Sequence, residues 1–182
     1  MNNEKVCPVE KADHLDKWWR KILQNPKRIL KPHIKEGMKV LDFGCGPGFF
    51  TITAADLVGH SGKVIATDIQ QGMLDILEAK ISKVDIKNRI DLHKCNADSI
   101  GLNEKFDFIY AIYVIHETPS PEKTLQEMYD MLESGGRLLS IDPKMHFSKE
   151  GFEDMLTLVK NIGYKVIKSK TTLMDYYALL EK

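Results

Sequence analysis

The sequence predicts an α/β protein with a doubly wound, mostly parallel, Rossmann-like sheet. From about residue 36 onward, short apolar runs alternate with amphipathic stretches of helical period, and no linker or internal repeat divides the 182 residues. The last two strand-like runs are separated by only a few residues, which is too short a link to join parallel strands. They therefore predict an antiparallel hairpin at the C-terminal end of the sheet.

Each element is assigned from its apolar period. The candidate strands are residues 38–43, 63–67, 89–94, 106–112 and 137–141, followed by the hairpin strands 164–169 and 173–180. The candidate helices are residues 10–24, a short one reaching Leu30, then 48–58, 70–84, 121–132 and one from Ser148 to Gly163. We therefore expect residues 1–34 to form a helical arm that caps a ligand site and residues 35–182 to form the ligand-binding domain.

Bulk composition excludes several classes of protein. The 26 Lys and Arg balance the 26 Asp and Glu, so the net charge favours neither nucleic acid nor an anionic membrane as a partner. The segment Lys17–Lys39 is nonetheless basic, with eight Lys or Arg against one Glu. No signal-peptide core or apolar run of about 18 residues appears, and Cys7, Cys45 and Cys95 are too few and too widely spaced for a disulfide scaffold. A cytoplasmic location with reduced thiols is expected.

The most informative stretch is a glycine-rich turn after the first strand. Gly44, Gly46 and Gly48 alternate there, and Asp42 lies two residues before the first of them. Glycine at such a turn lets the backbone approach a ligand closely. Twenty residues beyond Gly48, the second strand ends in Asp68, where a carboxylate can accept hydrogen bonds from both ribose hydroxyls. A nucleoside-containing ligand is therefore expected at this turn.

The spacing of the glycines bears on which ligand the turn holds. In the dinucleotide fingerprint G-x-G-x-x-G a third glycine follows three residues after the second, but that position is Phe49 here. Asp42 would repel a pyrophosphate, whereas it would attract the ammonium of an aminoacyl group directly or through water. No GK[ST] sequence is present, which excludes a P-loop. The turn favours S-adenosylmethionine (SAM) over a dinucleotide.

With these motifs the chain resembles the class I SAM-dependent methyltransferases, in particular the small single-domain members of the methyltransferase type 11 or ubiquinone/menaquinone-biosynthesis-like group. Residues 41–48, Asp68, 95–98, 106–110 and 132–138 match that family's ordered motifs. The resemblance implies the strand order 3-2-1-4-5-7-6 and S-adenosylhomocysteine as the product cofactor. Together with the turn, it assigns cofactor binding to Asp42, Gly44, Cys45, Gly46, Gly48, Asp68, Ile69, Met73, Asn96, Ala97, Asp98 and Ala111.

Candidate chemical groups follow the fourth and fifth strands. His116 is the best base, and Tyr113 is a second catalytic candidate that could bond the acceptor or face the sulfonium. A structural role stays open for both, since a base is needed only when the acceptor must lose a proton. The expected substrate contacts are His14, Trp18, Asp142 and His146. His116-Glu117-Thr118-Pro119-Ser120 is not HExxH, and no catalytic metal is predicted.

Several functions stay open at this point. A small-molecule acceptor is favoured over nucleic acid or protein, because Ala111-Ile112-Tyr113-Val114 stands where base-modifying relatives carry an Asn/Asp-Pro-Pro-Tyr/Phe signature. A SAM-binding module without turnover and an NAD(P)-binding oxidoreductase are the alternatives from other classes. The sequence indicates neither the acceptor atom nor the oligomeric state.

Overall fold

The computed structural model describes residues 25–82 and 84–182 of the chain, so the helix predicted at residues 10–24 lies outside the described part. The helices are α1 (Pro26–Leu30), α2 (Thr51–Val58), α3 (Gln71–Ile81), α4 (Pro121–Met131) and α5 (Lys149–Ile162). The strands are β1 (Lys39–Phe43), β2 (Lys63–Asp68), β3 (Ile90–Lys94), β4 (Phe106–Ile112), β5 (Leu132–Pro143), β6 (Lys165–Thr171) and β7 (Asp175–Glu181).

The seven strands form one sheet in the order β3-β2-β1-β4-β5-β7-β6. Strand β2 pairs in parallel with β1 and β3, and β4 pairs in parallel with β5. Strand β7 runs antiparallel to both β5 and β6. The doubly wound, Rossmann-like class, the strand order and the antiparallel C-terminal hairpin are thus confirmed. Two compact units divide the chain, one ending at Cys95 and the other beginning at Asn96.

In the first unit, β1 and β2 are buried almost throughout, and helices α2 and α3 pack on this part of the sheet. The buried positions of helix α2 are Thr51, Ala54, Ala55 and Val58. Helix α2 begins at Thr51 and not, as the sequence predicted, at Gly48. Gly48 has a φ of 88°, which lies in the left-handed region and cannot start a right-handed helix. The turn is therefore longer than its glycine spacing suggested.

In the second unit, helices α4 and α5 pack on each other. Pro121 is in the first turn of α4, and the Ser148 hydroxyl caps α5 by accepting from the Gly151 N–H. Gly163 ends α5 with a φ of 122°. These boundaries agree with the sequence. Among the described residues, no helix has the length and apolar character that a membrane crossing requires.

Candidate functional site

The glycine turn is fastened to the end of β2. The N–H groups of Gly44 and Cys45 both donate to the Thr67 carbonyl, at 2.9 and 2.8 Å. The N–H of Gly46 donates to Asp68 Oδ2 at 3.0 Å, so the turn and the second predicted ligand are joined directly. All three alternating glycines have positive φ. The first unit therefore brings the turn and Asp68 together as the sequence predicted.

Asp68 is a buried carboxylate with acceptor capacity to spare. Besides the bond from Gly46, its Oδ1 accepts from the Gln70 N–H at 2.8 Å. An ionised carboxylate has about four acceptor sites in all, so these two bonds do not exhaust its capacity. Burial raises the pKa of the Asp68 carboxyl above its usual value, and the backbone N–H groups of Gln70, Gly46 and Ile69 oppose that rise. A carboxylate with two oxygens suits a pair of vicinal hydroxyls.

The Asp42 side chain is held by a residue that follows the glycine turn. It is buried, and its Oδ2 accepts from the Thr51 hydroxyl at 2.6 Å, at the start of α2. The Thr67 hydroxyl donates to the Asp42 backbone carbonyl at 3.3 Å. A buried negative charge beside the turn opposes an anionic ligand and stabilises a cationic one. This arrangement fits the ammonium of an aminoacyl nucleoside and does not fit a diphosphate.

Cys45 lies in the turn as a buried thiol and not as a nucleophile. Burial raises the pKa of the Cys45 thiol well above its usual value, and the charges of Asp42 and Asp68 raise it further. Its Sγ donates to the Gly46 carbonyl at 3.4 Å. Because the thiolate is the reactive form, this environment keeps the side chain inert. Cys45 serves as a small residue that fits the turn.

The remaining cofactor-site predictions differ in exposure. Ile69, next to Asp68, keeps more than a third of its surface exposed, whereas Met73 in α3 is buried. In the second unit Ala111 is fully buried in β4, and Asn96, Ala97 and Asp98 are exposed after β3. A short backbone bond, from Asn96 N–H to the Ser99 carbonyl at 3.0 Å, closes that loop. These positions stay predictions for cofactor contacts.

A hydrogen-bonded cluster in the second unit joins the end of β5 to the segment that follows β4. Asp142 is only 1% exposed, and its Oδ1 lies 2.7 Å from His116 Nδ1. Its other oxygen accepts from the Ser140 hydroxyl at 3.0 Å. A carboxylate only accepts hydrogen bonds, so Nδ1 carries the proton and the lone pair of neutral His116 is on Nε2. The cluster orients an imidazole in the tautomer of a general base.

Two further side chains adjoin the His116 ring. His146, which is exposed, stacks on it with parallel planes and ring centroids 5.7 Å apart. Glu117 Oε1 lies 3.9 Å from His116 Nε2, which is beyond hydrogen-bond distance. Of the predicted catalytic and substrate residues, the structure thus brings together His116, Asp142 and His146.

Tyr113 is held in an unusual backbone conformation. Its φ is 64°, which is uncommon for a residue with a side chain. Its N–H donates to the Ile141 carbonyl at 2.7 Å, and its hydroxyl donates to Asp175 Oδ1 at 3.1 Å. Burial raises the pKa of the Asp175 carboxyl, and the bond from Tyr113 opposes that rise. The phenol is thus fixed by a residue at the start of β7.

Two predicted substrate residues, His14 and Trp18, lie outside the described residues. Within residues 25–82 and 84–182, no group of three or more His, Cys, Asp or Glu side chains is arranged to hold a metal ion.

Comparison with known proteins decides between the ligands that the turn could serve. The fold superposes on the crystal structure of a SAM-dependent methyltransferase from Aquifex aeolicus with a TM-score of 0.86 and 27% identity, over 97% of this chain and 99% of that one. Residues 34–180 match the family described as a methyltransferase domain. This chain belongs to the SAM-dependent methyltransferases.

Curated relatives of this methyltransferase include quinone-modifying enzymes. The demethylmenaquinone methyltransferase of Symbiobacterium thermophilum is 29% identical over 149 residues, which are 81% of this chain and 57% of that protein. The ubiquinone/menaquinone biosynthesis C-methyltransferase UbiE of Cronobacter sakazakii is 33% identical over 123 residues, 67% of this chain and 47% of that protein. The chain spans about half the length of these relatives.

Sequence reasoning missed several residues that support the methyltransferase site. Thr51 and Ser140 carried a usable signal: Thr51 follows the glycine turn at a helix start, and Ser140 alternates with Asp142 on one face of a strand. Lys80 and Asp175 carried no such signal in the sequence. The Lys80 ammonium donates to the Pro47 carbonyl at 2.8 Å. The partners of Lys80 and Asp175 lie 33 and 62 residues away along the chain.

Replacing Gly48 by alanine should destabilise the methyltransferase fold. A Cβ there would lie 2.3 Å from Leu77 Cδ1 and 3.2 Å from its Cγ, and Leu77 is fully buried in α3. We expect a loss of about 2 to 4 kcal/mol in the free energy of unfolding, from the left-handed backbone and the overlap together. Urea denaturation measures it.

Gly135→Ala is the matched control for that substitution. Gly135 also has a positive φ, 77°, but nothing lies within 4 Å of the Cβ that would be added. It should cost only the backbone part, about 1 kcal/mol. Equal losses in the two variants would show that the contact with Leu77 contributes nothing.

SAM affinity should depend on pH through Asp68. If Asp68 holds the ribose, the ribose hydroxyls donate to its ionised carboxylate, and burial raises the pKa of this carboxyl above its usual value. Affinity should therefore fall on acidification, starting at a higher pH than for an ordinary aspartate. Titration calorimetry over a pH series measures this, with Asp68→Asn as the control that binds more weakly but lacks this pH dependence. The same acid limb in that variant would assign the effect to another group.

Proposed function

We propose that this chain transfers the methyl group of SAM to a ring carbon of a small, hydroxyl-bearing aromatic acceptor, with His116 as the general base. The observation that carries the proposal is the buried bond between Asp142 Oδ1 and His116 Nδ1 at 2.7 Å. It supports a histidine with its tautomer set for accepting a proton. The names of the relatives from Symbiobacterium thermophilum and Cronobacter sakazakii support a quinone-type acceptor.

On the cofactor side, we assign each part of the ligand to a group in the first unit. The Asp68 carboxylate accepts from the two ribose hydroxyls, and Asp42, held by Thr51, stabilises the aminoacyl ammonium. Ile69, exposed next to Asp68, offers an apolar surface for the adenine ring. When bound, SAM supplies a methyl group on a positively charged sulfur. The residues of the turn have only to hold it in line with the acceptor.

On the acceptor side, methylation at carbon requires an electron-rich ring. A neutral hydroxyl on the ring makes the adjacent carbon a weak nucleophile, whereas removing the hydroxyl proton pushes electron density onto that carbon. His116 Nε2 takes this proton, and Asp142 stabilises the imidazolium that forms. Methyl transfer to that carbon would form the carbon–carbon bond and break the bond to sulfur. The ring carbon would then lose its own proton to water, while the His116 imidazolium returns its proton to the ring oxygen, which restores the aromatic hydroxyl. The acceptor must therefore be in the reduced, hydroquinone form.

Asp142 has a different role here from the substrate contact that the sequence suggested. Its two oxygens accept from His116 and Ser140, and it is 1% exposed, so we assign it as a positioning residue. His146, stacked on the His116 ring and exposed, keeps its place as a candidate contact for the acceptor.

The proposal is tested by incubating the purified protein with labelled SAM and 1,4-dihydroxynaphthalene, with product analysis by mass spectrometry. We expect methylation on a ring carbon and none with the oxidised 1,4-naphthoquinone. A product methylated at oxygen would contradict the carbon assignment. Binding of SAM without a product from either form would contradict the acceptor class.

A further inference from the structure

Large apolar side chains project from two adjoining loops of the second unit. Leu173 is 93% exposed and Met174 is 66% exposed, both in the turn between β6 and β7. Met145, in the loop after β5, is 84% exposed. The Lys144 N–H donates to the Met174 carbonyl at 2.9 Å, so the two loops are joined at this point. Single exposed apolar residues are ordinary, but a group of long ones on joined loops marks an interaction surface.

Lysines lie close in the sequence to these side chains. Lys168 and Lys170 are exposed on β6, and Lys144 adjoins Met145. The Lys170 ammonium lies 4.7 Å from the centre of the Tyr177 ring, and the Lys144 ammonium lies 5.7 Å from that of Tyr176. Neither residues 143–149 nor residues 165–174 contain an Asp or Glu. The zero net charge of the whole chain therefore conceals an excess of lysine in these two segments, which Asp142, Glu150 and Asp175 flank.

We infer that this surface, the hairpin patch of Met145, Leu173 and Met174 with Lys144, Lys168 and Lys170, docks on an anionic phospholipid bilayer. Apolar side chains that project this far can enter the acyl boundary of a bilayer, while lysines beside them meet the lipid phosphates. Lysines alone would be explained by protection of the exposed edge strand β6 against pairing. Leu173 and Met174 lie beyond the end of that strand, and edge protection gives no reason for them.

The test is co-sedimentation of the full chain with vesicles of phosphatidylcholine alone or mixed in equal parts with phosphatidylglycerol. We expect binding to the mixed vesicles that weakens as salt is added, and little binding to phosphatidylcholine alone. Lys168→Gln with Lys170→Gln should weaken binding about 30-fold, because each lysine near an anionic surface contributes about fivefold. Leu173→Ser with Met174→Ser should weaken it about 100-fold through lost apolar insertion.

Matched controls use residues of the same types outside the patch. Val84→Ser removes an apolar side chain that is 48% exposed, and Lys27→Gln with Lys123→Gln removes two exposed lysines. These variants should bind as the wild type does. Thermal unfolding should be unchanged in every variant, since all the altered side chains are exposed.

Three results would overturn the inference. The first is failure of the wild type to bind the mixed vesicles, and the second is equal binding by the Leu173→Ser/Met174→Ser variant. The third is a doubled mass in light scattering that the same variant abolishes, because a second copy of the chain would then cover the patch. None of these measurements involves turnover, so the inference does not depend on the proposed methyl transfer.

Discussion

His116→Asn should lower kcat for methylation by about 10²- to 10⁴-fold, the range expected for loss of a general base. The asparagine amide can still donate to Asp142 in place of Nδ1, while the proton-accepting Nε2 is lost. Asp142→Asn should have a similar effect, because an amide facing Nδ1 allows the opposite tautomer and no longer stabilises the imidazolium. The double variant should be no slower than the single ones, since the two side chains act as a unit.

A catalytic role for His116 and Asp142 is distinguished from a structural one by measuring kcat and SAM affinity separately. Both single variants should bind SAM with wild-type affinity in titration calorimetry, while kcat falls in each. His60→Gln, which removes a histidine outside every predicted site, is the control and should leave kcat unchanged. Loss of SAM binding in a well-folded His116→Asn protein would contradict the assignment of this residue to the acceptor.

Asp68→Ala should weaken SAM binding by about 100- to 1,000-fold, which corresponds to two charge-assisted hydrogen bonds to the ribose. The same change leaves the N–H groups of Gly46 and Gln70 without their acceptor, so the glycine turn loses its link to β2 as well. Both effects act on the same ligand, which makes this the largest expected change in affinity. Titration calorimetry measures it.

Asp75→Asn is the control for that experiment. Asp75 is an aspartate of α3 whose carboxylate accepts from the Gln71 side chain in an exposed bond, and the substitution should leave SAM affinity unchanged. An Asp68→Ala protein that binds SAM as the wild type does would show that the ribose lies elsewhere.

The fold was predictable because its strands are buried and because glycine and proline mark the ends of its helices and strands. Alternating apolar runs and helices, together with glycine and proline at the boundaries, indicated the sheet, and the short final link indicated the hairpin. The turn and Asp68 were predictable because both belong to one local strand–turn–helix–strand unit. Their direct bond, from Gly46 N–H to Asp68 Oδ2, is the closest agreement between the sequence pattern and the geometry.

The errors arose where tertiary contacts override local signals. Residues 133–136 contain two glycines and were therefore predicted to form a turn before a strand at Arg137. In the structure β5 already begins at Leu132. The pairing of β4 with β5 shifts there from Phe106↔Leu132 to Phe108↔Arg137, so these residues form an irregularity within a long strand. Leu173 and Met174 read as strand because they are apolar, but β7 begins only at Asp175.

The catalytic cluster was only partly predictable. His116 and Asp142 were each candidates because they follow adjacent strands, but their contact spans 26 residues and depends on how β5 is placed beside β4. The bond from Tyr113 to Asp175 spans 62 residues and involves a side chain with no motif of its own. Pairings of this kind come from the register of the sheet and leave no local pattern in the sequence.

The order of β5, β7 and β6 has a consequence for biosynthesis. Strand β7 occupies the place beside β5, with Leu138 opposite Leu180, although β6 leaves the ribosome first. Until β7 has been made, the nascent chain holds β5 with an open apolar edge and β6 without a neighbour, a state prone to pairing with other chains. The addition of β7 therefore gives both β5 and β6 the neighbour that each lacks without it.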